Sequence, residues 1–369
     1  MMQTKFYNNT LFITVLTIIC LGALLMYSAS SAVASYRYDQ YDSYFLIKHI
    51  TWLIIGFLSC FIFSFIDCDF LKRNAKLILF FSWVLVLIPI VMNIDQNSID
   101  RWLKIGNFTL MSTSDFARIA IIIFLAAFIE EYHQEINNIK ILFQKLLPYI
   151  LITIGLIVYQ PDLSTSFVTC SIIFILLYIA GINKKIIFGL LFSAVSFFLI
   201  IISFFSYQSE RIIAWLLGAN DQANNSILSL ANGGFWGVGL GNSTFKYGHV
   251  PESQTDFILS VIGEEIGFLG ILVIFVLFGF LFYKGFEISK LSRNRFSMFL
   301  SIGITVNIFL YLIINASYVT GILPTTGLPI PFISYGGSQT IFSLLSIGIL
   351  ISISKTNLRV NKTRYYYES

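Results

Sequence analysis

The sequence predicts an all-α fold: a polytopic integral membrane protein of about ten transmembrane helices, forming one membrane domain over residues 1–369. Three observations carry this. Of the 369 residues, 57% are hydrophobic and only 11% are charged. A bilayer crossing takes roughly 20 mostly apolar residues, so this composition supplies about ten crossings. The mean hydropathy is +0.81, and a water-facing globule would carry charge on about a quarter of its residues. A soluble enzyme, a disordered chain and a nucleic-acid binder are all excluded.

In chain order, the apolar runs predict helices at Thr10–Ser30, Phe45–Ile66, Lys76–Met92, Phe116–Ile129, Leu146–Tyr159, Thr165–Gly181, Ile186–Phe205, Phe257–Tyr283, Phe296–Tyr318 and Ser338–Ser354. The first is too long for a signal-peptide core and is followed by further spans, so it reads as a helix that stays in the chain. The fourth and fifth are short. Asp115 and Arg118 open the fourth, and Gln160–Pro161–Asp162 follow the fifth, as expected of helix ends buried in protein or lining a cavity. An even count leaves both termini on one side. Placing them in the cytoplasm puts sixteen Lys and Arg on the inner side and seven on the outer, which is the orientation that positive charge in short loops selects.

The polar interest then falls on the outer side. It comprises the segment Asn93–Asp115, a large loop over 206–256, and a last connection over 319–337. That connection holds Pro324, Pro329, Pro331 and four glycines. It is apolar yet full of helix breakers, which fits a packed, re-entrant-like loop. The four cysteines form no CxxC pair and the three histidines no metal-like spacing, so neither a disulfide framework nor a zinc site is indicated.

Few residues are placed to carry chemistry. Asp256 stands where the large outer loop becomes helix, within reach of water; a carboxylate there is also favoured simply by the helix dipole. Asp162, in YQPDLSTS, could cap the sixth span or face a site. Asp115 and Arg118 are spaced i, i+3 and could pair locally. Glu264 and Glu265 lie two turns into the eighth span, where an unpaired charge costs at least ~2.5 kcal/mol, and read as structural acids with buried partners. The outward cations Arg101, Lys104, Arg118, Arg211 and Lys246 could together hold a phosphate or diphosphate, or merely anchor helices at the interface. In NGGFWGVGLGNS, five glycines would let backbone approach a ligand closely.

Taken together, PESQTDF followed by SVIGEEIGFLG, the GGFWGVGLGNS run, YQPDLST, RWLKIG followed by SDFAR, and GLPIPFISYGGS resemble the SEDS proteins (shape, elongation, division and sporulation) in motif and order across nearly the whole chain. VGLGNS, VIGEE and LPTTGLPIPFISYGG look more like the division member than the elongation member. The resemblance implies a peptidoglycan glycosyltransferase of the bacterial cytoplasmic (inner) membrane, with its active site on the outer face. Its substrate would be lipid II, an undecaprenyl-diphosphate-linked disaccharide pentapeptide. Its partners would be a class B penicillin-binding protein (a transpeptidase) and other divisome proteins. It also implies that Asp256 is the essential acid, and that Arg101, Arg118, Asp162, Arg211, Lys246 and Glu252 are substrate-site residues.

The residues are compatible with that chemistry. Glycosyl transfer needs a base beside the acceptor hydroxyl, a task for a partly exposed carboxylate. The departing diphosphate needs charge neutralisation, which Arg and Lys or a divalent cation (Mg2+ or Mn2+) could supply. The chain departs from the family pattern at Asp115 and Arg118, which replace a Glu and a Lys, and at Gln254, where a His is common. A lipid II transporter and an elongation-type polymerase are the competing readings; a transporter should line a route through the membrane with ionisable residues, whereas here the polar residues gather on one side.

Overall fold

The computed structural model describes residues 2–38, 41–92, 102–105, 108–204, 206–247 and 253–368. Arg101 and Glu252 lie outside the described residues. The chain folds into helices α1 (Met2–Tyr38), α2 (Tyr44–Phe63), α3 (Cys68–Arg73), α4 (Ala75–Met92) and α5 (Thr113–Glu131), then α6 (Ile139–Ile141). A π turn (Leu142–Leu146) joins α6 to α7 (Leu147–Tyr159). There follow α8 (Leu163–Ile179), α9 (Lys184–Phe204), α10 (Ser206–Leu216), α11 (Asp221–Gly233), α12 (Ile258–Lys290), α13 (Arg295–Val319) and α14 (Gly337–Glu368).

Among the described residues, seven helices are long and apolar enough to cross a membrane, and the apolar Leu163–Ile179 is a shorter eighth. The two other predicted spans coincide with α5 and α9. α5 carries a polar first turn and is buried along nearly its whole length, because it runs through the middle of the bundle against α4, α8, α13 and α14. Apolar residues from both halves of the chain join in one continuous core.

Two segments carry more structure than expected. Within the all-α fold, the connection between α4 and α5 is not plain loop: Trp102–Ile105 (β1) and Phe108–Ser112 (β2) pair as an antiparallel hairpin, Trp102 opposite Ser112, with a register shift after Leu103. Strands of four and five residues are too short to show in a hydropathy walk. Nor is 206–256 simply a loop, since it contains α10 and α11. Both mix polar and apolar residues, so they leave no long apolar run. α11 is capped by Asn220, whose Oδ1 accepts from Ala223 N at 3.2 Å.

The glycine run after α11 has an unexpected neighbour. α12 unwinds at Gly267, which adopts φ 69°, ψ −167°. The carbonyls of Glu264 and Glu265 freed there accept from Val238 N and Gly239 N, both at 2.9 Å. A Cβ on Gly237 (φ +83°) would lie 2.3 Å from Glu265 O, and one on Gly233 would lie 1.9 Å from Gly263 O. The close approach these glycines allow is therefore to the α12 backbone. Gly237→Ala is expected to destabilise the fold by at least about 1–2 kcal/mol from the left-handed φ alone, with the clash adding to it; the thermal unfolding midpoint in detergent measures this.

The segment from Thr320 to Gly336 is non-helical but packed, with Leu328, Ile330 and Phe332–Ser334 all buried. α1 reaches it through Gly22, where a Cβ would meet Phe332 O at 2.5 Å. Trp215 Nε1 donates to Gly321 O at 2.8 Å and Ser164 Oγ to Thr326 O at 2.5 Å. Internal hydrogen bonds of this kind are what irregular backbone at membrane depth requires.

Candidate active site

Four helices begin around one cavity of about 370 Å³. Ser112 and Asp115 line it from the start of α5, Asp162 and Thr165 from the start of α8, and Thr255 and Asp256 from just ahead of α12. Gly337, Ser338 and Gln339 open α14 on the same cavity, and Trp52, Trp102, Tyr311 and residues 327–329 complete its walls. Helix N-termini carry partial positive charge and unsatisfied N–H groups. Their convergence favours an anionic group in the cavity, even though three aspartates line it.

Asp256 is half-buried, between the fully buried Gln254 and Phe257. Its backbone is fixed from α13. Asn315 Nδ2 donates to Asp256 O and to Leu328 O, both at 2.8 Å. The Tyr318 hydroxyl lies 2.8 Å from Asp256 O and 2.9 Å from Leu328 O, and accepts from Asn315 Nδ2 at 2.6 Å. These two side chains clamp the acid-bearing turn to the wall opposite. Gly327, with φ +71°, brings that wall against the acid: a Cβ there would lie 3.2 Å from Asp256 Oδ2.

Asp162 both caps and lines. Its Oδ1 accepts from Thr165 N at 3.1 Å, as an N-cap, while Oδ2 accepts from Ser114 Oγ at 2.7 Å. Arg118 sits beneath the floor, buried: Nη1 is 2.9 Å from Asp115 Oδ1 and also donates to the Tyr311 hydroxyl, while Nη2 donates to Gln339 Oε1 at 3.3 Å. Its guanidinium lies over the Tyr311 ring, 4.5 Å from the centroid. Arg118 thus holds three lining side chains at once. Arg211, on α10, approaches Thr325 O at 3.5 Å, next to the stretch that carries Gly327.

Lys246 is placed elsewhere. It is buried, with Nζ 2.9 Å from Glu265 Oε1 and donating to Gly241 O at 2.8 Å and Ser28 O at 3.2 Å. Ser28 Oγ donates to the other Glu265 oxygen at 2.5 Å. Glu264 Oε1 accepts from Asn232 Nδ2 at 2.7 Å, Thr244 N at 3.1 Å and Thr244 Oγ1 at 3.0 Å. Its Oε2 accepts from the Ser243 and Ser229 hydroxyls. The two glutamates anchor the glycine run and the turn after it through Lys246, hydroxyl, amide and backbone partners.

Asn315, Tyr318, Tyr311 and Gln339 did not emerge from the sequence. The pair Asn315–Tyr318 had one available signal: two hydrogen-bonding side chains at i, i+3 on an otherwise apolar span. Asn315→Leu is expected to leave the two carbonyls only the single Tyr318 hydroxyl as side-chain donor and to lower kcat up to about 100-fold by shifting the acid, with KM nearly unchanged. Steady-state kinetics separate the two parameters.

Among the described residues no protein cage for a divalent cation is formed. The described residues hold no group of three or more His, Cys, Asp or Glu placed to ligate one metal, and Asp115 and Asp162 are already engaged by Arg118, Ser114 and Thr165.

A bundle of membrane-length helices with a polar cavity, walled by helix starts and holding a half-buried carboxylate, defines a multi-pass membrane protein with a built site at one end. The family model described as "Cell cycle protein", covering FtsW, RodA and SpoVE, matches residues 8–359. The chain belongs to this family, the SEDS proteins. It is 32% identical over 356 residues to a "Probable peptidoglycan glycosyltransferase FtsW" of Trichlorobacter lovleyi, covering 94% of this chain and 93% of that one. It is 33% identical to the stage V sporulation protein E of Bacillus subtilis, covering 96% and 99%. The fold is that of Thermus thermophilus RodA (TM-score 0.69, 22% identity, 94% and 96% covered). It is also that of a chain in a solved peptidoglycan synthase complex that coordinates polymerization and crosslinking (TM-score 0.76, 22% identity, 94% and 97% covered).

Proposed function

We propose that this chain is a peptidoglycan glycosyltransferase that polymerises lipid II during cell division, with Asp256 as general base. Family membership and the FtsW-named relatives support the enzyme class. One observation carries the assignment within the molecule. Asp256, its backbone carbonyl held by the Asn315–Tyr318 clamp, sits half-buried on the wall of a cavity where four helix N-termini meet.

In the reaction, the acceptor sugar hydroxyl attacks the donor's anomeric carbon. The new C–O bond forms, the bond to the lipid diphosphate breaks, and the acceptor's proton passes to Asp256. The diphosphate leaves carrying negative charge. The converging helix starts stabilise that charge, as preorganised dipoles do at sites of charge development. The family resemblance adds Arg101, Arg211 and Glu252 to the proposed substrate site. Arg118 acts through Asp115, Tyr311 and Gln339, Asp162 shapes the wall, and Lys246 holds the neighbouring loop in place.

The proposal takes ten spans, both termini cytoplasmic, a single membrane domain and a cavity that opens outward. Sixteen inner against seven outer cations support that orientation. A class B transpeptidase is the proposed partner, in keeping with the synthase complex that shares the fold. Division duty rests on the VGLGNS, VIGEE and LPTTGLPIPFISYGG motifs.

The test is reconstitution. Purified protein, with and without a class B penicillin-binding protein, receives labelled lipid II in vesicles. Glycan ladders are the expected product. Lipid II that equilibrates between leaflets without forming strands would replace this reading with a transporter.

A further inference from the structure

At the other end of α5 from the Asp256 cavity lies a second one, of about 450 Å³, between α3, α4, α5 and the π turn leading into α7. Lys72, Arg73 and Lys76 line it from one side and Lys145 from the other. Three carboxylates answer these four cations. Glu135 acts on Lys145. Glu130 pairs with Lys72 at 2.8 Å, and Glu131 lines the cavity. A surplus of one positive charge remains, and the positive end of α4, which starts here, offsets the negative end of α5, which finishes here. Lys145 is oriented by Tyr132: its Nζ donates to the hydroxyl at 3.0 Å and lies 4.6 Å from the ring centroid.

We infer that this basic cavity binds the phosphodiester headgroup of an anionic membrane phospholipid. The surroundings are those of an amphiphile site. Immediately beyond Lys76, α4 exposes Leu77, Phe80 and Phe81, and Phe143 is exposed beside Gln144 and Lys145. A ligand with its charge on the four cations would run its apolar chains along these side chains. Free phosphate would use the cations and leave the apolar rows uncovered. Positive charge on inner loops sets topology whatever its arrangement, but that rule does not call for cations from separate helices to face one concavity. Basic pockets between membrane helices on the cytoplasmic side are a recognised means of holding lipid headgroups.

The test uses delipidated full-length protein in a neutral detergent. Phosphatidylglycerol, phosphatidylcholine or inorganic phosphate is added, and the thermal midpoint and the lipid adducts seen by native mass spectrometry are read. Phosphatidylglycerol is expected to raise the wild-type midpoint and to appear as a retained adduct, whereas the other two do neither. In Arg73→Gln/Lys76→Gln the shift and the adduct fraction fall to less than half. Lys290→Gln/Arg293→Gln, which removes the same charge from the α12–α13 turn, behaves as wild type. Lys145→Gln gives a second, independent reading, since its side chain is exposed and its loss leaves the core intact. Equal phosphatidylglycerol shifts in wild type and both cavity variants would overturn the inference, as would a shift reproduced by inorganic phosphate.

Discussion

Asp256→Asn is expected to lower the rate of glycan polymerisation by about 100- to 10,000-fold, the range a positioned general base contributes, while the protein stays folded. The substitution keeps shape and volume while removing the negative charge and the ability to take a proton, with an amide donor in place of one acceptor oxygen. The Asp256 carbonyl would still accept from Asn315 and Tyr318, so the turn stays in place. Asp256→Glu keeps the base but extends it toward the wall at Gly327, already a close neighbour of the carboxylate. It is expected to recover only part of the loss. Turnover of labelled lipid II under saturating substrate measures both.

Lys246→Met is expected to destabilise the protein by roughly 3–5 kcal/mol, the cost of leaving one member of a buried ion pair without the other. Lys246 and Glu265 are both almost fully buried. After the change, Glu265 keeps its hydrogen bond from the Ser28 hydroxyl. The loss falls on the turn after the glycine run and its attachment to α1 and α12, not on the cavity walls. Folded Lys246→Met should therefore retain most of its turnover per molecule while its unfolding midpoint drops. The double variant Lys246→Met/Glu265→Gln is expected to lose less than the sum of the two single changes, because neutralising the acid removes the stranded charge. A double-mutant cycle of unfolding midpoints reads this coupling.

Legibility in the sequence followed length scale. Runs of about twenty apolar residues announce helices by composition alone, and every predicted span overlaps a helix. α5 was read as short because its first turn, Thr113–Ser114–Asp115, is polar; that turn is polar because it builds the cavity floor and wall. The hairpin and the helices α10 and α11 were missed because elements of four to thirteen residues with mixed composition carry no strong hydropathy signal.

The site followed a different rule. Asp256 and Asp162 were legible because each is a lone carboxylate next to a helix start. Which acids and cations share a cavity was not, since that depends on contacts between distant segments. Lys246 shows this most plainly. As an outward cation it suggested phosphate binding, yet the unwinding of α12 at Gly267 lets the glycine run fold back and deliver it to Glu265. The glycines that suggested a ligand's approach serve that packing. The clamp of Asn315 and Tyr318 on Asp256 and Leu328 joins α13 to two segments it does not adjoin in the local sequence, so only the folded chain reveals it.

The central claim is that one carboxylate takes the acceptor's proton in this cavity. Its most direct test is a single-turnover experiment with purified wild-type and Asp256→Asn protein, scoring both retention of photo-crosslinkable lipid II and formation of the first glycosidic bond. Asp256→Asn should retain lipid II within a few-fold of wild type yet form the bond at least about 100-fold more slowly. A first bond made by Asp256→Asn at the wild-type rate would contradict the account.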